Sequence, residues 1–533
     1  MLIKTDINKI SLFGRSEIKV FTNRPSTIKD FFNDTVSKYG NRTALILDDE
    51  EMTYIELDKQ SNQLAASLER IYRVKKGDRL AVLVSNSFEF AIIVLACIKT
   101  GIIMVPVNTK LKPPEIAFIL GHSKPKIIFC DNSLISLVEE CKNQFNEIQL
   151  YSKHFVAISE EAADYVNFPS LLSGSDKLTE VDNKETDPAF ILYTSGTTGR
   201  PKGAVLSHIN VIHSVMHYQL VFKGNSEVRS TLAVPFFHVT GLVARFLHSV
   251  FIGGSLLIFK KYQNEQYIKQ CYEKKVNVHS NVPTIYAMMA TSPLLKKFSF
   301  DFVKRVSFGG GPIYQHTLEM LREIFPNATY HNVYGATETT SPSTIMPGSY
   351  PMSKASSVGK PVETADIKVI DSNENELGPN KVGELLIKGP MVIGQYWDDP
   401  VANENSFVDG YWRSGDLAKV DEDGYVYILD RKKDMINRGG EKVFSLEVED
   451  VLKKHPDIDE VAVIAVPDKI FGERVKTFII SDTLNEKAIP EIKLYCSQFL
   501  ANFKIPEIYE FIEELPKTAS GKTLKHQLRK RDS

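Results

Sequence analysis

The sequence predicts an α/β protein: a large N-terminal domain with mainly parallel sheets plus a β subdomain, followed by a small, mobile α+β C-terminal domain. Three observations carry this expectation. Short β-rich apolar runs alternate with helical stretches up to about residue 358, the pattern of βαβ units. Beyond it, strands shorten and turn residues separate them. Residues 431–533 then alternate again, with enough chain for a small domain.

The elements follow in order. "RLAVLVS" (79–85) reads as a buried strand and "EFAIIVLACIKTG" as the next helix, closed by Gly101. "MVPVN", "KPPEIAFILGHS" and "PKIIFCD" give strand, helix and strand. A second series runs through "AFILYTS", "STLAVPF", "SLLIF", "NVHSNVP" and "RVSFGGG". The run "ADIKVIDSNENELGPNKVGELLIKG" marks the β subdomain, and the turn at Asp423–Gly424 precedes a charged segment that starts a new domain. The boundary is placed at 430/431. In the C-terminal domain a helix (446–455), the strands "EVAVIAVP" and "VKTFII", a helix (488–501) and the strand "IYEFIEEL" are expected. The chain shows no internal repeat and no low-complexity tract.

The 533 residues are 43% hydrophobic and 24% charged, with a formal net charge of −2. No global field steers such a chain to nucleic acid or an anionic surface. The basic stretch "KHQLRKR" (525–531) reads as a solvated tail. Five scattered cysteines form no CxxC pair and argue for reduced thiols in a cytoplasmic protein. The longest apolar stretch, 90–107, is broken by Lys99, Thr100 and Gly101, so a buried helix running into a strand is expected, not a transmembrane segment.

"ILYTSGTTGRPKGAV" (191–205) concentrates glycines, hydroxyls and cations. Gly196, Gly199 and Gly203 permit tight turns, and Thr194, Ser195, Thr197 and Thr198 can donate to phosphate oxygens. Lys202, with Arg200, supplies charge. The physics suits a polyphosphate, but the spacing is not that of a Walker loop, in which Lys follows Gly directly. On these residues alone, a phosphate loop and a solvated surface loop both stay open. Tyr193 is expected to end a strand, and 207–218 to form the next helix.

"YTSGTTGRPKG" resembles the signature of the acyl-adenylate-forming superfamily, which includes AMP-forming acyl-CoA synthetases of the fatty-acid and 4-coumarate type. Further motifs follow in family order: "FFHVTG" (236–241), "GGGP" (309–312), "NVYGATE" (332–338), "YWRSGDLA" (411–418), "DRKKDMINRGGEKV" (430–443) and "PKTASGK" (516–522). The resemblance covers nearly the whole chain. It implies two half-reactions: a carboxylate attacks the ATP α-phosphorus, releasing pyrophosphate, and a thiol then expels AMP from the acyl-AMP. Both build negative charge, so fixed donors and cations should dominate catalysis.

The resemblance also implies roles. The loop Thr194–Gly199 with Lys202 would hold the β and γ phosphates. Glu338, with Thr194, would bind Mg²⁺, a hard cation that takes oxygen ligands; taken alone, a glutamate beside threonines is more often a cap. Asp416 would accept from both ribose hydroxyls, with Arg431 beside it; by itself an aspartate after Ser-Gly is usually a turn residue. Gly309, Gly310, Gly311 and Pro312, with Asn332, Tyr334, Gly335 and Thr337, would form the adenine side. Lys522 would reach the carboxylate and α-phosphate from the small domain. Lys433 would be the hinge, and Gly439 and Gly440 would border the pantetheine channel of CoA.

By the same resemblance His238 would border the acyl and pantetheine pockets; taken alone, a histidine on an apolar segment is usually a satisfied core residue. No aspartate stands at 236–241 to hold an amino acid's amino group. The segments "SNVPTIYAMM" and "RVSFGGGPIY" are read as mostly apolar, with no evident cation for a dicarboxylate. A hydrophobic monocarboxylic acid is therefore expected, fatty before aromatic, with CoA as acceptor. An aryl-acid CoA ligase, a loading enzyme for a carrier protein and a non-catalytic nucleotide-binding homologue are the alternatives. Lys522, Glu338 and Asp416 all being present speaks against the last. The oligomeric state, a homodimer included, is left open.

Overall fold

The structure is a computed structural model describing residues 6–144, 155–159, 165–194, 200–311, 313, 315–518 and 522–531. Two large sheets organise the first part. In one the strands run Lys202–Ser207, Pro188–Thr194, Ile103–Pro106, Arg79–Leu83, Ile127–Cys130, Phe155–Ala157 and Val166–Asn167. In the other a parallel core of Thr329–Tyr334, Arg305–Gly309, Val278–Asn281, Arg229–Leu232, Ser255–Ile258 and Thr43–Leu47 carries antiparallel strands at its edges.

The apolar stretch 90–107 is the helix Phe88–Thr100 followed by the strand Ile103–Pro106. Ser87 caps the helix by accepting from Phe90 N, and Gly101 ends it at φ 69°. Every residue from Phe90 to Thr100 is buried. Its core joins side chains of both sheets, including Leu80, Val82 and Met104 of one and Leu45, Leu232 and Leu256 of the other. A helix apolar on all sides is what a position between two sheets requires. Among the described residues no helix is long and apolar enough to cross a membrane.

The β subdomain is an antiparallel sheet of Asp366–Ile370, Gly383–Lys388, Tyr411–Val420 and Phe407–Val408, to which Val426–Arg431 adds. The C-terminal sheet orders Glu441–Val443, Ile436–Arg438, Gly472–Ile480 and Glu460–Asp468, with Ile508–Phe511 parallel to Gly472–Ile480. Helices Ser445–Lys453 and Ile489–Ser497 cover its apolar face.

Two local expectations are corrected. Residues 202–207 are not a loop leading to a helix but a strand paired antiparallel with Pro188–Thr194, and the helix His208–Phe222 follows it. The pattern "KGAVLS" is short and opens on lysine and glycine, which hides its strand character. Ser414–Gly415 is likewise not a turn between elements. It is a bulge within the long strand Tyr411–Val420, opposite Leu385, with Gly415 at φ 69°. The N-terminal hairpin Ile7–Leu12/Arg15–Phe21 has no forerunner in the sequence reading.

Candidate active site

The hairpin fixes the base of the glycine-rich segment. Thr194 and Lys202 face each other across the ladder, so the residues between them leave the sheet at one point. Ser195, Gly196, Thr197, Thr198 and Gly199, like Pro312, lie outside the described residues. At the base, Thr194 Oγ1 donates to Glu338 Oε1 at 3.4 Å, and Tyr396 Oη donates to the same oxygen at 3.0 Å. Trp412 Nε1 in turn donates to Tyr396 Oη at 3.2 Å, and Lys202 Nζ stands 5.3 Å from the Tyr396 ring centre. Tyr396 thus links the loop, the glutamate and the β subdomain. It lies in "GQYW", outside every motif singled out above; the only sequence signal was an aromatic pair just before the helix cap Asp399.

Glu338 sits on a short turn, Thr337–Thr339, that follows the strand Thr329–Tyr334. The chain then takes left-handed backbone at Thr340 (φ 50°) and Ser341 (φ 97°), conformations that non-glycine residues hold only when their surroundings enforce them. A Cβ on Gly335 would lie 1.4 Å from Ser341 O, so only glycine fits where "GATE" folds back. Asn332 donates to Ser357 O at 3.1 Å, which ties down the strand.

The bulge at Gly415 aims Asp416 inward, where it is 4% exposed. Tyr334 Oη donates to its Oδ2 at 2.5 Å, and Arg431 Nε donates to its Oδ1 at 2.8 Å. Asp416 and Arg431 are register partners on adjacent strands. Burial pushes the Asp416 carboxyl above its usual range, against the opposing pull of Arg431, Tyr334 and Lys522. For Arg431, burial is the largest influence and lowers its pKa, but Asp416, Tyr334, Glu338 and Asp434 together outweigh it and hold the guanidinium more firmly protonated.

Lys522 belongs to this constellation. Burial lowers its pKa first and Arg431 second, while Asp416 and Glu338 raise it. It keeps solvent-accessible surface, as Arg431 does. Lys522 and Arg431 thus stay open to solvent beside the buried Asp416. The loop end is anchored by Lys522 N donating to Thr518 Oγ1 at 3.0 Å and by Thr518 N donating to Lys522 O at 2.7 Å.

His238 is placed on the same side. Burial pushes its pKa down to about 4, with Lys522 and Lys110 adding to the shift, and its Nε2 is buried without a hydrogen-bond partner. It is a neutral imidazole with an unused ring nitrogen. Thr194, Lys202, Glu338, Tyr334, Asp416, Arg431, Lys522 and His238 are therefore joined by contact or by electrostatic coupling. Gly309–Gly311 end the strand beside Thr329–Tyr334, and a Cβ on Gly309 would meet Val333 O at 2.3 Å. Gly439 and Gly440 are not brought into this group. They form the exposed tip of the hairpin Ile436–Arg438/Glu441–Val443, touching Phe471 and Asn437. Lys433 is exposed. Just before it, Asp430 accepts from Ser445 N at 2.5 Å and from Ser445 Oγ at 3.0 Å.

The segment "RVSFGGGPIY" opens on one cation. Its Arg305 is buried, and the charged group that acts on it is Arg245, not a carboxylate.

Among the described residues no group of three or more His, Cys, Asp or Glu could hold a metal. Glu338 and Thr194 offer two oxygen-bearing side chains. That set suits Mg²⁺, which keeps water and phosphate ligands, and would not cage Ca²⁺ or Zn²⁺.

A carboxylate–arginine–tyrosine clamp, a glutamate at a glycine-rich hairpin and a lysine presented from a C-terminal α+β unit define an AMP-forming ligase. The chain belongs to the AMP-binding enzyme family, whose profile matches residues 32–397, with the family's C-terminal domain matched at 447–522. It is 31% identical to 2-succinylbenzoate–CoA ligase of Bacillus licheniformis over 92% of this chain and 96% of that one. It is 29% identical to long-chain-fatty-acid–CoA ligase of Escherichia coli over 95% and 94%. A solved o-succinylbenzoate coenzyme A synthetase of Bacillus subtilis, in complex with ATP and magnesium ion, superposes with a TM-score of 0.82 at 29% identity, covering 95% and 100%.

Proposed function

We propose that this chain activates a carboxylic acid with an apolar body, a fatty acid before an aryl acid, to acyl-AMP with release of pyrophosphate, and passes the acyl group to CoA. The observation that carries the reading is that Glu338, Asp416, Arg431 and Lys522 stand within electrostatic reach of one another. In this reading Asp416 holds the ribose, with Tyr334 and Arg431 fixing its oxygens. Tyr396 orients Glu338, which with Thr194 would hold Mg²⁺; the ion would neutralise phosphate charge. Lys522 brings a cation to the meeting point of two anions, the acid and the α-phosphate. His238 stays neutral and presents an unpaired nitrogen to the acyl side. Residues 1–430 and 431–533 act as separate bodies hinged near Lys433. Reorientation would withdraw Lys522 and present Gly439–Gly440 to the thiol. Five buried, unpaired thiols fit a cytoplasmic setting.

The test is acid-dependent pyrophosphate release from Mg-ATP across fatty, aryl and amino acids, each with and without CoA. Release with an apolar acid, and acyl-CoA plus AMP once CoA is added, is expected. Release that stalls at acyl-AMP in the presence of CoA would replace CoA with a carrier protein.

A further inference from the structure

Two arginines stand inside the N-terminal body, and among the described residues neither has a counter-charge. Arg245 lies on the widened, π-type helix Thr240–Leu247 that follows His238, and Arg305 opens the strand Arg305–Gly309. They are 7% and 6% exposed. Arg245 Nη1 donates to its neighbour Ala244 O at a long 3.3 Å. Arg305 Nη1 donates to Phe222 O at 3.0 Å, and its guanidinium lies 4.2 Å from the Phe222 ring centre. The Nε of both arginines is buried without a partner, as is Nε2 of His248, whose ring packs 5.5 Å from that of Tyr218.

Among the described residues no carboxylate answers these charges. The groups that act on Arg245 are the phenols of Tyr218, Tyr286 and Tyr267; Arg245 acts on Arg305; both arginines act on His248. Burial lowers Arg305 to about 9 and lowers Arg245, yet both stay cationic at neutral pH, while His248 is held neutral. A buried guanidinium without an acid is costly to keep. Such a charge makes sense where an anion arrives from outside.

Three segments join the cluster to the site. The segment that carries His238 continues to Arg245. The strand that ends at Gly309 begins at Arg305, about 13 Å away at ~3.3 Å per residue. Tyr218 Oη shares a 2.8 Å hydrogen bond with Ser341 Oγ, on the strained turn after Glu338. Three segments thus have one end at the nucleotide side and the other at the cations.

We propose that Arg245 and Arg305, with the Nε2 of His248, form an anion-recognising floor to the acyl site, and that the acid carries a second carboxylate at the end remote from the one adenylated. The planar forks of two guanidinium groups match a carboxylate in shape and charge. An apolar body would occupy the span between. The inference rests on the reading of the site as acid-activating, and it narrows the apolar-bodied acid to one that carries a carboxylate at each end.

The experiment compares pyrophosphate release from Mg-ATP with α,ω-dicarboxylic acids, with 2-succinylbenzoate, and with monocarboxylic acids matched in length, for wild type, Arg245→Met and Arg305→Met. Wild type is expected to prefer a dicarboxylate by about tenfold or more in kcat/KM. Each methionine variant is expected to raise KM for that acid by a similar factor while KM for ATP holds, and to shift preference toward the matched monocarboxylate. Folding is not at risk, since an unpaired buried charge replaced by an apolar chain of similar length tends to stabilise; an equal or higher Tm is expected. A wild-type preference for monocarboxylates, unchanged in both variants, would overturn the proposal. Absence of release with every acid would overturn the acid-activating reading and the floor with it.

Discussion

Replacing Asp416 by Asn separates what this carboxylate does for the fold from what it does for the nucleotide. The side chain is nearly isosteric: its carbonyl oxygen can still accept from Arg431 Nε, while Tyr334 Oη turns from donor to acceptor for the new amide N–H. Burial raises the Asp416 pKa in the folded chain above the usual 3.8. The unfolded chain therefore ionises first as pH rises, and the stability the protonated form contributes is lost as pH passes through the raised folded value. At neutral pH the charge is thus held at a cost to folding, and the amide removes that cost. The Tm of Asp416→Asn is expected to equal or exceed that of wild type. Binding should move the other way. Loss of the charge-assisted bonds that the anion offers a ribose diol is worth about 1.5–3 kcal/mol, or about 10- to 150-fold in KM for ATP. Calorimetry at pH 7 and pyrophosphate release at varied ATP read the two effects. A Tm drop of many degrees with KM for ATP intact would refute the reasoning, because Asp416 would then be a structural anchor alone.

Lys522→Ala is expected to cut pyrophosphate release by about 100-fold or more while leaving thioester formation from supplied acyl-AMP largely active; equal loss of both would remove Lys522 from the adenylating role. Gly440→Val, at φ 92° on the exposed hairpin tip, should do the reverse, and a parallel fall in pyrophosphate release would argue against a role confined to the thiol step. His238, lowered from 6.5 to about 4 by burial, contributes stability present above the unfolded pKa and lost as pH falls through about 4, worth about 3 kcal/mol. His238→Gln should therefore lose less Tm than wild type between pH 7 and pH 4; equal losses would contradict the assigned neutral state. Tyr396→Phe removes one hydrogen bond to Glu338, and about a fivefold rise in KM for Mg-ATP is expected from roughly 1 kcal/mol. An unchanged KM would show that Thr194 alone positions the glutamate.

Much of the fold was legible because its strands are short, apolar and separated by turn residues. The parallel strands Arg79–Leu83, Ile103–Pro106, Ile127–Cys130, Arg229–Leu232, Ser255–Ile258, Val278–Asn281 and Arg305–Gly309 stand close to runs visible in the sequence, whereas the short edge strands Phe155–Ala157 and Val166–Asn167 had no such run. Lys202–Ser207 escaped because an edge strand that borders a glycine-rich loop has neither alternation nor β-branched density. Gly415 was read as a turn because a bulge and a turn use the same residues. At the site, motif residues such as Glu338 and Asp416 were visible, whereas Tyr396 was not: its role comes from two hydrogen bonds to partners 58 and 16 residues away. Arg245 and Arg305 were passed over for a different reason. Each sits in an apolar run that predicts burial, and whether a buried cation has an acid beside it depends on packing that no local pattern records.

The Tyr334–Asp416–Arg431 clamp has a meaning for how the chain matures. Tyr334 ends a strand of the nine-stranded sheet, while Asp416 and Arg431 lie on neighbouring strands of the β subdomain. The tyrosine and the aspartate are 82 residues apart in sequence. Neither unit owns the clamp proposed to hold the nucleotide; it comes into being when the two finished sheets dock. Long-range contacts of this kind form late, after local elements and individual sheets. A refolding chain should regain its backbone signal first and ATP binding afterwards, so bound nucleotide would report complete assembly of the protein.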